Sequence, residues 1–424
     1  MMRGDAFERA RAALRWTVVL SAFVPISGAA AEPPINILFV GNSFTHGRYE
    51  PVRGYNAGFG ADNVHDLLCP SPATCSAAEQ GSQIDPAETR PPGAILSAQL
   101  AYLQANPSLQ YNEPGPYGGV PGIFLQFTRE AHLHYSVSVV AVSSATLTGY
   151  LNNIGSEKGD LQLIESAAWD MVVLQDQSFR PLPAMITVNG QSVATRGNFA
   201  GFESGVAGLI NAVDAAASAA GKPNPLITLY ETQPLASYGY TSTNANAPIF
   251  GSSTSPPGGL NAPYVGDPDP IGAMAMDLHN AYQQAASDYM ASNPTGSKVD
   301  VALAGDAWVS AINARIAVRD PYLAGNPAFE VDLWDGNALD ACCTTPIGYH
   351  PSVYGAYLSA LVLFCEITQA RPESLLAEFD PADPHHYKSA ADALGISPDT
   401  AWKLAFAASE TLRLGHPIQR RNTR

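Results

Sequence analysis

The stretch Ile35-Asn36-Ile37-Leu38-Phe39-Val40 is a short, nearly continuous apolar run that ends at Gly41. Four further runs of the same kind follow at 135–142, 169–174, 225–230 and 299–304. Short apolar runs bounded by turn-forming residues are typical of strands that are buried on both faces. The chain is therefore predicted to contain five buried strands.

Segments with helical spacing separate these strands, at 122–131, 161–168, 205–220 and 273–292, and others follow at 354–368 and 400–414. Such alternation indicates a parallel sheet that is covered by helices on both faces. The predicted fold is α/β, a three-layer α/β/α sandwich with a five-stranded parallel sheet. The site of such a fold lies at the carboxyl ends of the strands. Four predicted strands are followed there by polar residues, namely Ser43, Ser144, Gln175 and Glu231.

Three segments near 50–121, 181–198 and 237–270 are rich in turn-forming residues and are interpreted as insertions. The second is predicted to be a hairpin that turns at Asn189-Gly190. With these insertions, residues 32–424 are predicted to form a single domain.

Residues 1–31 have the order of a secretory signal peptide. Several arginines before residue 16 precede an apolar run at 16–25, and small residues at 29–31 precede Glu32. No other segment reaches the ~20 continuous apolar residues that a membrane span requires. The sequence predicts cleavage after residue 31, a secreted or periplasmic location, and no stable membrane span afterwards.

The charge balance argues against a nucleic-acid partner. The 424-residue chain has 22 Lys and Arg against 38 Asp and Glu, which gives a formal net charge of -16. Such a surface repels phosphate backbones.

Five cysteines fit an oxidising compartment. Cys69 and Cys75 flank a short loop and could close a small disulfide ring. Either Cys342 or Cys343 could bridge to Cys365. No C-x-x-C or paired-histidine spacing indicates a metal site, and no cofactor is expected.

Two polar residues stand where a catalytic pair could form. Ser43 directly follows the first strand, where a tight turn and a backbone N–H could serve a nucleophile. His350 precedes the apolar helix at 354–368, which could hold a base in a fixed geometry. Each residue alone has a common alternative, a polar turn residue for Ser43 and a helix-capping residue for His350.

Taken in order, several blocks resemble the SGNH/GDSL hydrolases, in the branch whose first block is Gly-Asn-Ser-Phe-Thr. Residues 41–45 resemble that first block, 170–178 the third block with Gln in place of the usual Asn, and 349–360 the last block. Residues 305–308, Gly-Asp-Ala-Trp, also resemble this branch. The resemblance implies a flavodoxin-like sandwich with a serine nucleophile.

The resemblance further implies that Ser43 attacks an ester carbonyl while His350 takes its proton and later delivers it to the leaving alcohol. The implied oxyanion donors are the N–H of Ser43, a backbone N–H at Ser144 or Ala145, and the side chain of Gln175, with Gln177 as the alternative. Close to the serine in the sequence, His46 is a candidate contact for the substrate.

The acid of the implied triad is displaced. In the family it stands three residues before the histidine, where this chain has Ile347. Asp340, or alternatively Asp335, would reach His350 if the intervening segment loops out. A dyad in which a backbone carbonyl orients His350 is the rival hypothesis.

The sequence as a whole predicts a secreted serine hydrolase that cleaves small-molecule or polymeric carboxylic esters through an acyl-enzyme. The ester could be a carbohydrate acetyl group, a lipid or a polyester. The alternative is a catalytically silent binding protein on the same fold, with a carbohydrate or lipid ligand, and the displaced acid is its main support.

Overall fold

The computed structural model describes residues 33–73, 75, 115–152, 160–240, 263–323, 325–334, 349–376 and 389–415. The predicted signal peptide at 1–31 and the residues Asp335, Asp340, Cys342 and Cys343 lie outside this part of the chain. The described residues from Pro34 onward form one compact unit.

The apolar run that begins at Ile35 lies inside a six-stranded sheet. Its strands are β1 (Ile35–Gly41), β2 (His65–Asp66), β3 (Tyr135–Ala141), β4 (Met171–Leu174), β7 (Leu226–Tyr230) and β8 (Val299–Ala302). Their order in the sheet is β2-β3-β1-β4-β7-β8, and every pairing is parallel. The predicted parallel sheet is confirmed, but the predicted number of five strands is too low. The additional strand, β2, has only two residues, which pair with Ser138 and Val139. A strand this short carries no periodic signal in the sequence.

Two strands form a separate antiparallel hairpin, β5 (Met185–Val188) and β6 (Gln191–Ala194). Its turn residues Asn189 and Gly190 have φ of 49° and 77°. Asn-Gly tolerates this left-handed backbone in both turn positions, which explains why the sequence predicted the hairpin correctly.

Eleven α-helices lie in the described residues: α1 (Ser43–His46), α2 (Gly119–Glu130), α3 (Leu147–Leu151), α4 (Asp160–Ile164), α5 (Phe199–Ala219), α6 (Ala236–Gly239), α7 (Pro270–Ser292), α8 (Ala304–Asn313), α9 (Val353–Thr368), α10 (Ala390–Ala393) and α11 (Pro398–Gly415). A 3-10 helix at Pro372–Leu376 follows α9. None of the described helices is long and apolar enough to cross a membrane.

Alternate residues of β1 are buried on opposite faces of the sheet. Ile37 and Phe39 belong to a core formed with α2, α8, α9 and α11, whereas Leu38 and Val40 belong to a core formed with α3, α4, α5 and α7. Burying apolar side chains on both faces requires helices on both sides, which gives the three layers. The carboxyl ends of the parallel strands are therefore left at one edge.

One of the two predicted disulfides is present. A disulfide joins Cys69 to Cys75, as predicted. Cys365 is a free and buried thiol in α9, so the predicted bridge from Cys342 or Cys343 to this residue is wrong. Burial among apolar side chains raises the pKa of the Cys365 thiol.

Candidate active site

Ser43 begins the short helix α1 directly after β1, and the turn between them depends on Gly41. A Cβ atom at Gly41 would lie 2.0 Å from Thr45 Oγ1 and 2.7 Å from Gln175 Oε1. Only glycine therefore allows the chain to fold back this tightly. Asn42 caps α1 by accepting a hydrogen bond from Phe44 N at 3.1 Å. Its amide nitrogen donates to Ala145 O at 3.0 Å, which ties this turn to the loop after β3.

Gln175 follows β4 and lies behind the serine turn. Its Oε1 accepts from Asn42 N at 3.0 Å and from Thr45 Oγ1 at 2.8 Å, and its Nε2 donates to Asp176 O. Gln175 is buried and does not line the pocket around Ser43. The amide of Gln175, predicted as an oxyanion donor, thus shapes the turn behind the serine.

Ser43 and His350 meet across the site. Ser43 Oγ lies 3.1 Å from His350 Nε2, which is within hydrogen-bond distance. Both residues are buried, with 6% and 2% of their surfaces exposed, yet both line the same pocket. A serine and an imidazole at this distance form the geometry of an activated nucleophile.

Aromatic rings enclose the imidazole of His350. The rings of Phe44, Tyr49 and Tyr349 stand edge-on to it, with centroids at 5.6, 6.1 and 5.1 Å. Phe44 also contacts Tyr349, at 5.6 Å. These rings fix the orientation of the base by packing.

The segment that carries His350 is anchored to residues 332–334. Trp334 and Pro351 form an antiparallel bridge, and Ser352 N donates to Leu333 O at 2.8 Å. The hydroxyl of Ser352 donates to Asp332 O at 2.6 Å and also accepts from the first turn of α9, which it caps. His350 therefore sits between this bridge and the start of a buried helix.

The pocket around Ser43 and His350 receives side chains from several loops. It is lined further by Asn42, Phe44, Arg48, Ser144, Gln177, Ser178, Phe179, Arg196, Ser237, Tyr238 and Tyr349. Among the predicted oxyanion donors, Ser43, Ser144 and Gln177 line this pocket. Ala145 does not line it, and its N–H donates to Val142 O at 2.9 Å.

Ser144 has a left-handed backbone, with φ of 62°. This conformation favours glycine, and a residue with a side chain adopts it at some cost in free energy.

His46 does not face the pocket. It is fully buried, with Nδ1 3.1 Å from Gly47 O and Nε2 3.1 Å from Ser143 Oγ, and its ring stacks on Tyr117 at 4.2 Å. The imidazole thus braces the loop after β1, and His46, the predicted substrate contact, is not among the residues that line the pocket.

Asp176 is a supporting residue that sequence reasoning did not single out. Its Oδ1 accepts from Gln177 N at 2.6 Å and from Leu147 N at 3.2 Å. Burial raises the pKa of Asp176 to about 6. The carboxyl group holds Gln177 in position and links the loop after β4 to α3. The position of Asp176 within the 170–178 block is the sequence feature that could have identified it.

Two guanidinium groups line a pocket that belongs to an acidic chain. Arg48 stacks over the ring of Tyr49, with 5.7 Å between its Cζ and the ring centroid. Arg196 is exposed, and its charge lowers the pKa of Tyr238, although burial raises that pKa more strongly. The described residues that line the pocket include these two arginines and no Asp or Glu.

No protein-family model and no curated protein matches the sequence. Among solved structures, a DUF4886 family protein from Bacteroides uniformis ATCC 8492 is 12% identical, with 91% of this chain and 96% of that chain covered and a TM-score of 0.43. A protein from Slackia heliotrinireducens, provisionally named an SGNH hydrolase, is 18% identical, with 78% and 97% covered and a TM-score of 0.29. At these TM-scores neither likeness bears on the chemistry of the site.

Proposed function

We propose that this protein is a serine hydrolase that cleaves carboxylic esters, with Ser43 as the nucleophile and His350 as the general base. The observation that carries the proposal is the 3.1 Å contact between Ser43 Oγ and His350 Nε2, in a pocket that both residues line. Its place at the carboxyl ends of β1 and its neighbours is where α/β sheets of this type hold their sites.

The geometry supports a two-step reaction. Ser43 Oγ attacks the ester carbonyl while its proton passes to His350 Nε2, and the imidazolium then protonates the leaving alcohol. An acyl group remains on Ser43. His350 next takes a proton from water, which attacks the acyl carbonyl, and returns it to Ser43 Oγ as the carboxylic acid leaves. Nε2 must be unprotonated at the start of each step.

The negative charge on the carbonyl oxygen needs donors that are already in place. We assign this role to the N–H groups of Ser43 and Ser144 and to the side-chain amide of Gln177. Each such donor contributes about 3–4 kcal/mol to transition-state stabilisation. Asp176 keeps Gln177 in place through its hydrogen bond to the Gln177 N–H.

We further propose that an acid from residues 335–348 completes the triad, either Asp340 or Asp335. Asp335 directly follows Trp334 in the chain, and Trp334 is bridged to Pro351, the neighbour of His350. Because Asp335 is adjacent in sequence to a residue of this bridge, it is the alternative to Asp340.

The guanidinium groups of Arg48 and Arg196 favour a substrate ester that carries a negative charge, such as a carboxylate, near the scissile bond. A guanidinium binds such a group through charge-assisted hydrogen bonds. The aromatic rings of Phe179 and Tyr238, stacked at 5.8 Å, offer an apolar wall beside this charge. Secretion, indicated by the N-terminal sequence, would bring the enzyme to esters outside the cell.

A fluorophosphonate probe tests the proposal directly. The full chain is labelled, the modified peptide is identified by mass spectrometry, and turnover of a short-chain chromogenic ester is measured in parallel. We expect labelling at Ser43, with labelling and turnover both lost in Ser43→Ala and His350→Ala. Ser287→Ala, at an exposed position of α7, is the matched control and should behave as the wild type.

Absence of labelling and of turnover in the folded wild-type protein would contradict the hydrolase proposal. A carbohydrate or lipid that binds such an inert protein would then favour the silent binding protein. Labelling at a serine other than Ser43 would instead show that the nucleophile is that other serine.

A further inference from the structure

Three ligand-type residues meet on the β7–β8 side of the sheet, outside the residues that line the Ser43 pocket. Glu231 directly follows β7, Asp306 lies in the first turn of α8 after β8, and His279 lies in α7. One ligand atom from each lies within 4.8 Å of the other two. Three elements thus bring two carboxylates and one imidazole together.

The contacts within this cluster leave one buried oxygen unpartnered. His279 Nδ1 lies 2.9 Å from Asp306 Oδ2, and Glu231 Oε2 accepts from Asp306 N at 3.3 Å. Glu231 Oε1 has no hydrogen-bond partner, although the side chain is fully buried. A buried polar atom without a partner costs about 1–3 kcal/mol, so a group that binds this oxygen would stabilise the structure.

The charges of the cluster favour a cation. Carboxylate oxygens of Glu231 and Asp306 lie within 4.8 Å of each other. Two carboxylates so close together are stabilised by a positive charge between them. A dication would neutralise both.

Gly305 packs closely against the Glu231 carboxylate. A Cβ atom at Gly305 would lie 2.5 Å from Thr232 O and 3.2 Å from the carboxyl carbon of Glu231. Any other residue would therefore crowd the carboxylate. The side chains of His279 and Asp306 are each 28% exposed, so an ion can reach the cluster from solvent.

We propose that Glu231, His279 and Asp306 bind a divalent first-row metal ion, with Zn²⁺ as the best match. Zinc accepts imidazole nitrogen and carboxylate oxygen, and three protein ligands leave the fourth tetrahedral position to water. The sequence predicted no metal site because these ligands form no short motif. His279 and Glu231 are separated from Asp306 by 27 and 75 positions, respectively.

The expected role is to hold the loop that begins at Glu231. Thr232 Oγ1 donates to Ser178 O at 3.1 Å, and Gln233 Nε2 donates to Tyr349 O at 3.4 Å. Both acceptors belong to residues that line the Ser43 pocket. The ion would thus stabilise the wall of that pocket from behind, whatever reaction the pocket performs.

Isothermal titration of the full chain tests this inference without an activity assay. The protein is produced without a histidine tag, treated with EDTA, dialysed, and titrated with Zn²⁺, and with Mn²⁺ and Mg²⁺ for comparison. We expect one Zn²⁺ per chain at the cluster and a rise in Tm on binding. His279→Ala and Asp306→Asn should weaken this binding by about 10-fold or more.

Asp300→Asn is the matched control, since it removes an exposed carboxylate from β8, close in sequence to the cluster. It should leave the affinity for Zn²⁺ unchanged. Because Glu231 is buried, Glu231→Gln is informative only if it folds, whereas the half-buried His279 tolerates replacement. Undetectable binding in the wild type, or wild-type affinity in His279→Ala, would overturn the proposal.

Discussion

Trp334 and Pro351 form an antiparallel backbone bridge, which brings Trp334 beside the segment that carries His350. In the sequence, the two candidate acids, Asp335 and Asp340, both lie between these two bridged residues.

Replacing the two acids separately should identify the one that orients His350. We expect Asp335→Asn or Asp340→Asn, but not both, to lower kcat for a chromogenic ester by up to ~10⁴, because the wrong imidazole tautomer is then favoured. The other variant serves as the control. Wild-type turnover in both variants would favour a dyad oriented by a backbone carbonyl.

We expect Gln175 to have a structural role and Gln177 to have a catalytic role. Gln175→Leu leaves the N–H of Asn42 and the hydroxyl of Thr45 without their buried acceptor, so we expect the free energy of unfolding to fall by about 1–3 kcal/mol. Gln177→Leu removes an oxyanion donor and should lower kcat by about 10²-fold with little change in stability. Urea unfolding and ester kinetics on both variants measure this difference.

Equal effects of the two glutamine substitutions on stability and on kcat would contradict this division. A large loss of kcat in a fully folded Gln175→Leu protein would return the oxyanion role to Gln175.

The selectivity of the pocket should depend on Arg196. We expect Arg196→Ala to raise KM by about tenfold for an ester with a carboxylate near the scissile bond, since a charge-assisted hydrogen bond is worth about 1.5–3 kcal/mol. The KM of a neutral ester of the same size should change little. Arg315→Ala is a matched control, because Arg315 is also exposed and also has a left-handed backbone, with φ of 57°.

If Arg196→Ala raised KM equally for the charged and the neutral ester, the guanidinium would shape the pocket rather than bind a charge.

Glu130 should make the stability of the protein depend on pH. Burial raises the pKa of Glu130 from 4.5 to about 8, and its carboxyl accepts from Ala390 N at 2.6 Å. The folded state therefore binds this proton more tightly than the unfolded state. The free energy of unfolding should fall as pH rises from about 4.5 to about 8, by at most about 1.4 kcal/mol per pH unit for one proton.

Glu130→Gln keeps an acceptor for Ala390 and removes the titration, so we expect it to flatten this decline. Urea unfolding at pH 5, 6.5 and 8 measures it, with Glu165→Gln, an exposed carboxyl, as the control. Parallel pH profiles of wild type and Glu130→Gln would show that another group is responsible.

The sequence was most informative where local chemistry determines structure. Continuous apolar runs located the five longer strands of the sheet, and Asn189-Gly190 located the hairpin, because burial on two faces and a left-handed turn each restrict the residues that fit. Strand β2 could not be found, because its two residues pair only through the tertiary position of β3.

The site was predictable only in part for the same reason. Ser43 and His350 stand out because each adjoins a strand or helix of clear pattern. Gln175 and Gln177 cannot be ranked from sequence, since both follow the same strand and only the packing of the turn against β4 decides which one enters the pocket. The cluster of Glu231, His279 and Asp306 has no local pattern at all.

The ring of Phe44 has a consequence for the second half of the proposed reaction. Once Ser43 is acylated, its Oγ has no proton to donate, and the direct hydrogen bond that aligns nucleophile and base is lost. Phe44 adjoins Ser43 in the same short helix and still packs against His350 and Tyr349. These apolar contacts thus help to keep the base beside the acyl group, ready to receive a proton from the incoming water.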